Sequence, residues 1–186
     1  MTKGRVLGNF CSSCHGTNGA AVSEAVPSIA GQHKEYLRQA MLEMRPVVDK
    51  DKNDITPRYS TLMKIFMKGY TDEEIELMAA YYSSREWENT NNKPNKKLIK
   101  VAKNLKDTEG KPLLDTCIAC HYANGNNEDD TGIPRIGGQN ALYLKHAMLE
   151  FKDSKRKGQR ASEMDVVKDL TVEEIEALAE YFAHVK

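Results

Sequence analysis

The sequence predicts an all-α protein made of two tandem helical domains, and three observations predict it. A Cys-x-x-Cys-His motif occurs twice, at residues 11–15 and 117–121. A wider repeat surrounds both copies. Each half also closes with an amphipathic helix carrying its own capping signal, and no run alternates apolar and polar residues at the strand period of two.

The motif carries the chemistry. Two thiols three positions apart, followed at once by an imidazole, form the signature of covalent c-type haem attachment. Both thiols (Cys11 and Cys14, or Cys117 and Cys120) must reach two vinyl groups on one porphyrin edge. The adjacent His15 or His121 then turns a ring nitrogen under the iron. These residues account for all 4 cysteines. A zinc site would want its second Cys-x-x-Cys pair within roughly 15–20 residues, whereas here the pairs begin at 11 and 117. A thioredoxin-like motif needs a strand–helix context that is hard to find in this chain. Structural disulfides stay open in an oxidising compartment. Two motif copies inside one repeat favour two covalently bound haem c groups, each with its iron.

The elements follow in order. Ten residues precede the first motif, so any opening helix is short. Gly16-Thr-Asn-Gly19, Pro27-Ser-Ile-Ala-Gly31-Gln32 and the segment 36–43 follow it. Tyr122-Ala-Asn-Gly125, Pro134-Arg-Ile-Gly-Gly138-Gln139 and 143–150 follow the second. The offset is 107 from Pro27 to Pro134 and again from Glu43 to Glu150. Segments 36–44 and 143–151 read as amphipathic helices. In the closing blocks Thr71 and Thr171 stand three positions before Glu74 and Glu174, the capping-box spacing. Ile75, Met78, Ala79 and Tyr82 then share one helical face, as do Ile175, Leu178, Ala179 and Phe182. There the offset has fallen to 100, so the second half is shorter by seven residues. The polar, proline-bearing stretch 86–97 marks the boundary, and a helix over 98–105 leads into the second motif. The expected division is residues 1–88, a linker 89–97, and residues 98–186.

Composition limits the function. Charge is balanced, 27 Lys and Arg against 27 Asp and Glu, so the chain has no nucleic-acid footprint. No stretch reaches the roughly 18 apolar residues of a membrane span. The first residues run almost directly into the first motif, without room for a leader. Because haem is attached outside the bacterial cytoplasm, the chain reads as a mature or trimmed protein acting in the periplasm.

A sixth iron ligand must approach from the face opposite the histidine, from a loop well downstream. Met63 and Met67 are the candidates in the first half, Met164 in the second. Met63 stands eight residues before Thr71 and Met164 seven before Thr171, while Met67 has no such counterpart. Met63 and Met164 are therefore preferred, with Met67 read as a core gap-filler. His33 and His146 are not repeated at the 107-residue offset, so they read as surface or helix-packing residues; His184 reads as solvent-exposed. Pro27 and Pro134 are assigned to the haem sites on another ground. A metal-bound histidine normally donates its second ring N–H to an acceptor, and a proline of fixed φ can present its carbonyl rigidly.

These residues together resemble the tandem diheme class I cytochromes c, the cytochrome c4 family, over essentially the whole chain. That resemblance implies two domains facing each other across a pseudo-twofold axis, with haem propionate edges near the interface. It implies His15 with Met63 and His121 with Met164 as axial pairs, and a weak Met-to-ferric-iron charge-transfer band. It further implies single-electron transport in the periplasm between respiratory donors (a cytochrome bc complex or a dehydrogenase) and a terminal oxidase, with no enzymatic activity of its own. Peripheral membrane association is left open. The stretch Ser60-Thr-Leu-Met63…Lys68-Gly-Tyr70 is also similar to the diheme subunit of flavocytochrome c sulfide dehydrogenase, so a haem subunit of a larger dehydrogenase is the alternative. A diheme enzyme is a third class, and it would need a vacant or exchangeable ligand. The chain departs from the family in its unusually charged segment 45–58 and in the shorter Met164 spacing.

Overall fold

The computed structural model describes residues 2–58, 60–89, 92–126, 132–158 and 160–185. Among these residues the regular structure is helical, with only isolated β-bridges. The first half contains α1 (Lys3–Leu7), a 3-10 turn (Gly8–Phe10), α2 (Ser12–His15), α3 (Lys34–Glu43), α4 (Thr61–Met67) and α5 (Asp72–Ser83). The second contains α6 (Lys96–Ala102), α7 (Leu113–His121), α8 (Ala141–Lys152), a 3-10 segment (Ala161–Asp169) and α9 (Val172–His184).

The closing helices α5 and α9 organise the halves. Both begin with a reciprocal capping box: Glu74 N donates to Thr71 Oγ1, Glu174 N donates to Thr171 Oγ1, and each glutamate carboxylate accepts from its threonine N–H. This satisfies two orphan donors per helix and puts acidic side chains where the helix dipole favours them. The apolar faces read from the sequence are the buried faces: Ile75, Met78, Ala79 and Tyr82, and Ile175, Leu178, Ala179 and Phe182. Helices α1 and α3 pack on α5, as α6 and α8 pack on α9. The first contact depends on Gly4, where a side chain would run into the Leu77 backbone. In α6 the small residue at the contact is Ala102, which is fully buried.

Three expectations shift. Helices α3 and α8 begin two residues earlier than the periodicity suggested, at Lys34 and Ala141. Helix α6 covers 96–102 rather than 98–105, because Asn95 caps it by accepting from Lys97 N and Leu98 N. His184 is not solvent-exposed. Its side chain is 11 % accessible and sits between Glu180 O (3.1 Å) and Asn92 O (3.0 Å), fastening the boundary stretch to the end of α9. Asn95 N donates to Glu180 Oε1 at 2.6 Å in the same place. Residues 90 and 91 of that stretch lie outside the described residues. His33 is partly buried at the N-terminus of α3, and His146 is exposed on α8.

The halves meet around repeat-related residues. Arg58 and Arg156 form an isolated antiparallel bridge, and their N–H groups donate to Glu43 O and Glu150 O. Arg58, 7 % exposed, donates to Tyr143 Oη at 2.9 Å and Tyr36 Oη at 3.4 Å, and Arg156 donates to Tyr36 Oη at 3.3 Å.

Candidate functional site

Each Cys-x-x-Cys-His motif is wound into a helix that ends at its histidine. In the first half this is the single turn α2; in the second it is the last turn of the longer α7. Winding the motif brings both thiols to one side and turns the ring of the last residue inward. Cys11 and Cys117 are partly buried, Cys14 and Cys120 exposed, and none of the four is in a disulfide. The Tyr82 hydroxyl donates to Gly8 O at 2.8 Å, pinning the turn just before Cys11.

The loop after each motif folds back by the same device. Gly19 O accepts from Ile29 N and Ala30 N at 2.7 and 3.0 Å; Gly125 O accepts from Ile136 N and Gly137 N at the same distances. This return puts Pro27 O 2.8 Å from His15 Nδ1 and Pro134 O 3.0 Å from His121 Nδ1. A carbonyl can only accept, so Nδ1 carries the proton in both rings. Nε2 is then the nitrogen left to offer a lone pair to a metal.

Burial disfavours the charged form of both rings. Burial lowers the pKa of His15 and of His121, and the hydrogen bond to the proline carbonyl opposes this only in part. Burial also raises the Cys11 thiol, and it pushes Cys117 up to about 11. A neutral imidazole of fixed tautomer beside two thiols is the donor set that covalent haem c requires, so the residues present fit the group.

The methionines are placed by other elements. Met63 lies on α4, partly buried against the cluster of Ala40, Met44 and Met67, in which Met67 is 1 % exposed. Met164 lies on the 3-10 segment, partly buried against the cluster that includes Val167, Leu170 and Leu178. Two further residues stand out. Met41 packs against both the Met67 cluster and the Tyr82 cluster that also holds Cys11, and Met148 does the same between the Leu178 and Phe182 clusters. They connect the thiol side to the methionine side of each half. Their recurrence at the 107-residue offset was the sequence signal for them.

Comparison with known proteins is decisive at the family level. The sequence profile of the family described as "Cytochrome c" matches twice, over residues 2–86 and 108–186. The chain belongs to the cytochrome c family. Its two cytochrome c domains, with Cys11/Cys14 and Cys117/Cys120, fit two covalently bound haem c groups. Cytochrome c4 of Stutzerimonas stutzeri is 28 % identical over 175 residues, covering 92 % of this chain and 82 % of that protein. The cytochrome subunit of sulfide dehydrogenase of Chlorobaculum tepidum is 39 % identical over 83 residues, covering 45 % of this chain and 66 % of that protein. The crystal structure of reduced recombinant cytochrome c4 from Pseudomonas stutzeri superposes with a TM-score of 0.84 at 27 % identity, covering 98 % of this chain and 97 % of that one. The chain is thus a diheme, cytochrome c4-like electron carrier.

Proposed function

We propose that this diheme cytochrome shuttles single electrons in the periplasm, with His15 and Met63 as axial ligands in the first domain and His121 and Met164 in the second. The domains are taken as residues 1–88 and 98–186, joined by a linker at 89–97. When bound, the haem iron supplies a one-electron ferric/ferrous couple, and thioether plus imidazole ligation favours the ferrous state relative to two imidazoles. The observation that carries this reading is the hydrogen bond from His15 and from His121 to the carbonyl of Pro27 or Pro134, which fixes ring plane and tautomer before any metal arrives. Residues His15, Met63, His121 and Met164 would hold each iron in either oxidation state, so electron transfer would need little rearrangement, which is the protein's share of the task. Met63 is favoured over Met67 because Met67 is sealed inside the core beside Ala40 and Met44. Among the described residues no helix is long and apolar enough to cross a membrane. Respiratory donors and a terminal oxidase are the partners proposed.

Similarity to the sulfide dehydrogenase cytochrome subunit supports a second reading, a haem subunit of a larger dehydrogenase. Size-exclusion chromatography of the protein from its native source separates the two: a carrier elutes alone, a subunit with a partner. Exogenous ligands test the closed axial sites. Cyanide and carbon monoxide are expected to bind slowly or not at all; rapid stoichiometric binding at one haem would contradict the carrier reading and favour a catalytic diheme protein.

A further inference from the structure

The repeat contains two glutamines whose side chains reach across to the other domain. Gln32 and Gln139 close the two Pro-x-x-x-Gly-Gln blocks, and both are nearly inaccessible, at 3 % and 2 %. Each side-chain amide crosses to the opposite half. Gln139 Oε1 accepts from Ser28 N at 2.9 Å and its Nε2 donates to Ser28 O at 2.8 Å. Gln32 Oε1 accepts from Arg135 N at 2.8 Å and its Nε2 donates to Arg135 O at 2.9 Å. Ser28 and Arg135 are repeat mates, one residue beyond Pro27 and Pro134. Each Oε1 also accepts from the next residue's own N–H, His33 N at 3.0 Å and Asn140 N at 2.9 Å, which locks the amide in place.

The geometry has an electronic consequence. The Ser28 N–H and the Pro27 carbonyl belong to one peptide group. That group accepts the His15 Nδ1 proton at one end and donates to Gln139 at the other. The Pro134–Arg135 peptide does the same between His121 and Gln32. Hydrogen bonds in series polarise one another, strengthening each by about 10–30 %. A peptide whose N–H is engaged carries more negative charge on its oxygen and pulls harder on the imidazole proton. The ring then becomes more electron-rich at Nε2, which supports ferric iron. Glutamine suits this role because it both accepts and donates, so it engages the N–H and the C=O of the same residue across the interface.

We propose that the two glutamines are crossed positioning residues: Gln139 of the second domain tunes the haem of the first through Pro27 and His15, and Gln32 of the first tunes the haem of the second. The chemistry of each iron therefore depends on the domains being docked. This inference rests on His15 and His121 being iron ligands. A clamp that merely held the domains together would have no crossed signature.

The test uses the holoprotein with Gln139→Met and Gln32→Met, apolar replacements of similar length. Each haem's potential is followed separately through a redox titration by its paramagnetically shifted methyl resonances. In Gln139→Met the potential of the first-domain haem should rise, lowering its ferric-to-ferrous ratio at a fixed solution potential by roughly two- to tenfold, the scale of one weakened hydrogen bond. The second-domain haem should move less, and the His15 Nδ1 proton should exchange faster with solvent. Gln32→Met should give the mirror pattern at the second haem and His121. Should a Met variant fail to assemble, Gln139→Asn, which withdraws the amide by one methylene, should give the same crossed shift. Equal movement of both potentials, movement of the haem in the glutamine's own domain, or no movement would overturn the proposal. Failure of the ligand assignment itself would look different, since the unmodified protein would then lack a histidine-ligated low-spin spectrum.

Discussion

Gly16 and Tyr122 leave the two motif helices through the same backbone conformation, at φ 80°, ψ 157° and φ 62°, ψ 166°, yet only one of them is a glycine. That region is essentially reserved for glycine and costs any other residue about 1–3 kcal/mol. The second domain therefore stores strain one residue beyond His121 that the first does not.

The substitution Tyr122→Gly should relieve that strain. Tyr122 is 49 % exposed, so its loss empties no buried site, and the added freedom of the unfolded chain takes back only about 0.4–1 kcal/mol. A net gain of about 0.5–2 kcal/mol is expected in the denaturant midpoint of the second domain. No gain would mean that the turn is relaxed as it stands. The reciprocal change Gly16→Ala should destabilise, because its Cβ would run into the Ala20 carbonyl.

The two capping boxes make a matched pair of tests. Thr71→Ala and Thr171→Ala each remove the acceptor for a helix N–H and should cost about 1 kcal/mol of stability in chemical denaturation. Serine at either position should restore most of the loss.

The arginine–tyrosine contact between the halves predicts a pH dependence. Burial alone would push the Tyr36 hydroxyl up, but Arg58 and Arg156 outweigh it and bring its pKa down to about 7, against an ordinary 10.0. Tyr143 is raised, first by burial and then by Tyr36. A folded value below the unfolded one means that the unfolded chain holds more protons between the two, so stability rises with pH there. The contribution is complete above pH 10 and lost as pH falls through about 7. Wild type should therefore gain stability over Tyr36→Phe as pH rises from 7 to 10; a constant difference across that window would refute the lowered hydroxyl.

What could be read from the sequence was local. The Cys-x-x-Cys-His motifs, the Thr-to-Glu spacing of the caps and the buried faces of α5 and α9 each depend on residues a few positions apart. The boundaries of α3, α6 and α8 moved because their first turns are set by residues such as Asn95 that precede the periodic pattern. Contacts between the halves were out of reach. Gln32 and Gln139 bond residues 103 and 111 positions away, and Arg58, inside a stretch that reads as a charged loop, is buried by tyrosines from both halves. His184 looked like a free C-terminal side chain because nothing local indicates that Asn92 returns to it. The shorter Met164 spacing coincides with a 3-10 segment where the first half has the α-helix α4.

The axial methionines are tested most directly by the long-wavelength absorption of the oxidised holoprotein, where a weak Met-to-ferric-iron band is expected from both haems. Met63→Ala and Met164→Ala should each remove about half of that band, since the proposed ligand set gives each haem one axial methionine. Met67→Ala should leave it intact while destabilising the first domain by about 2–5 kcal/mol, as emptying a buried methionine site does. A band that survives loss of Met63, or disappears with Met67, would contradict the ligand set on which the two-haem carrier depends.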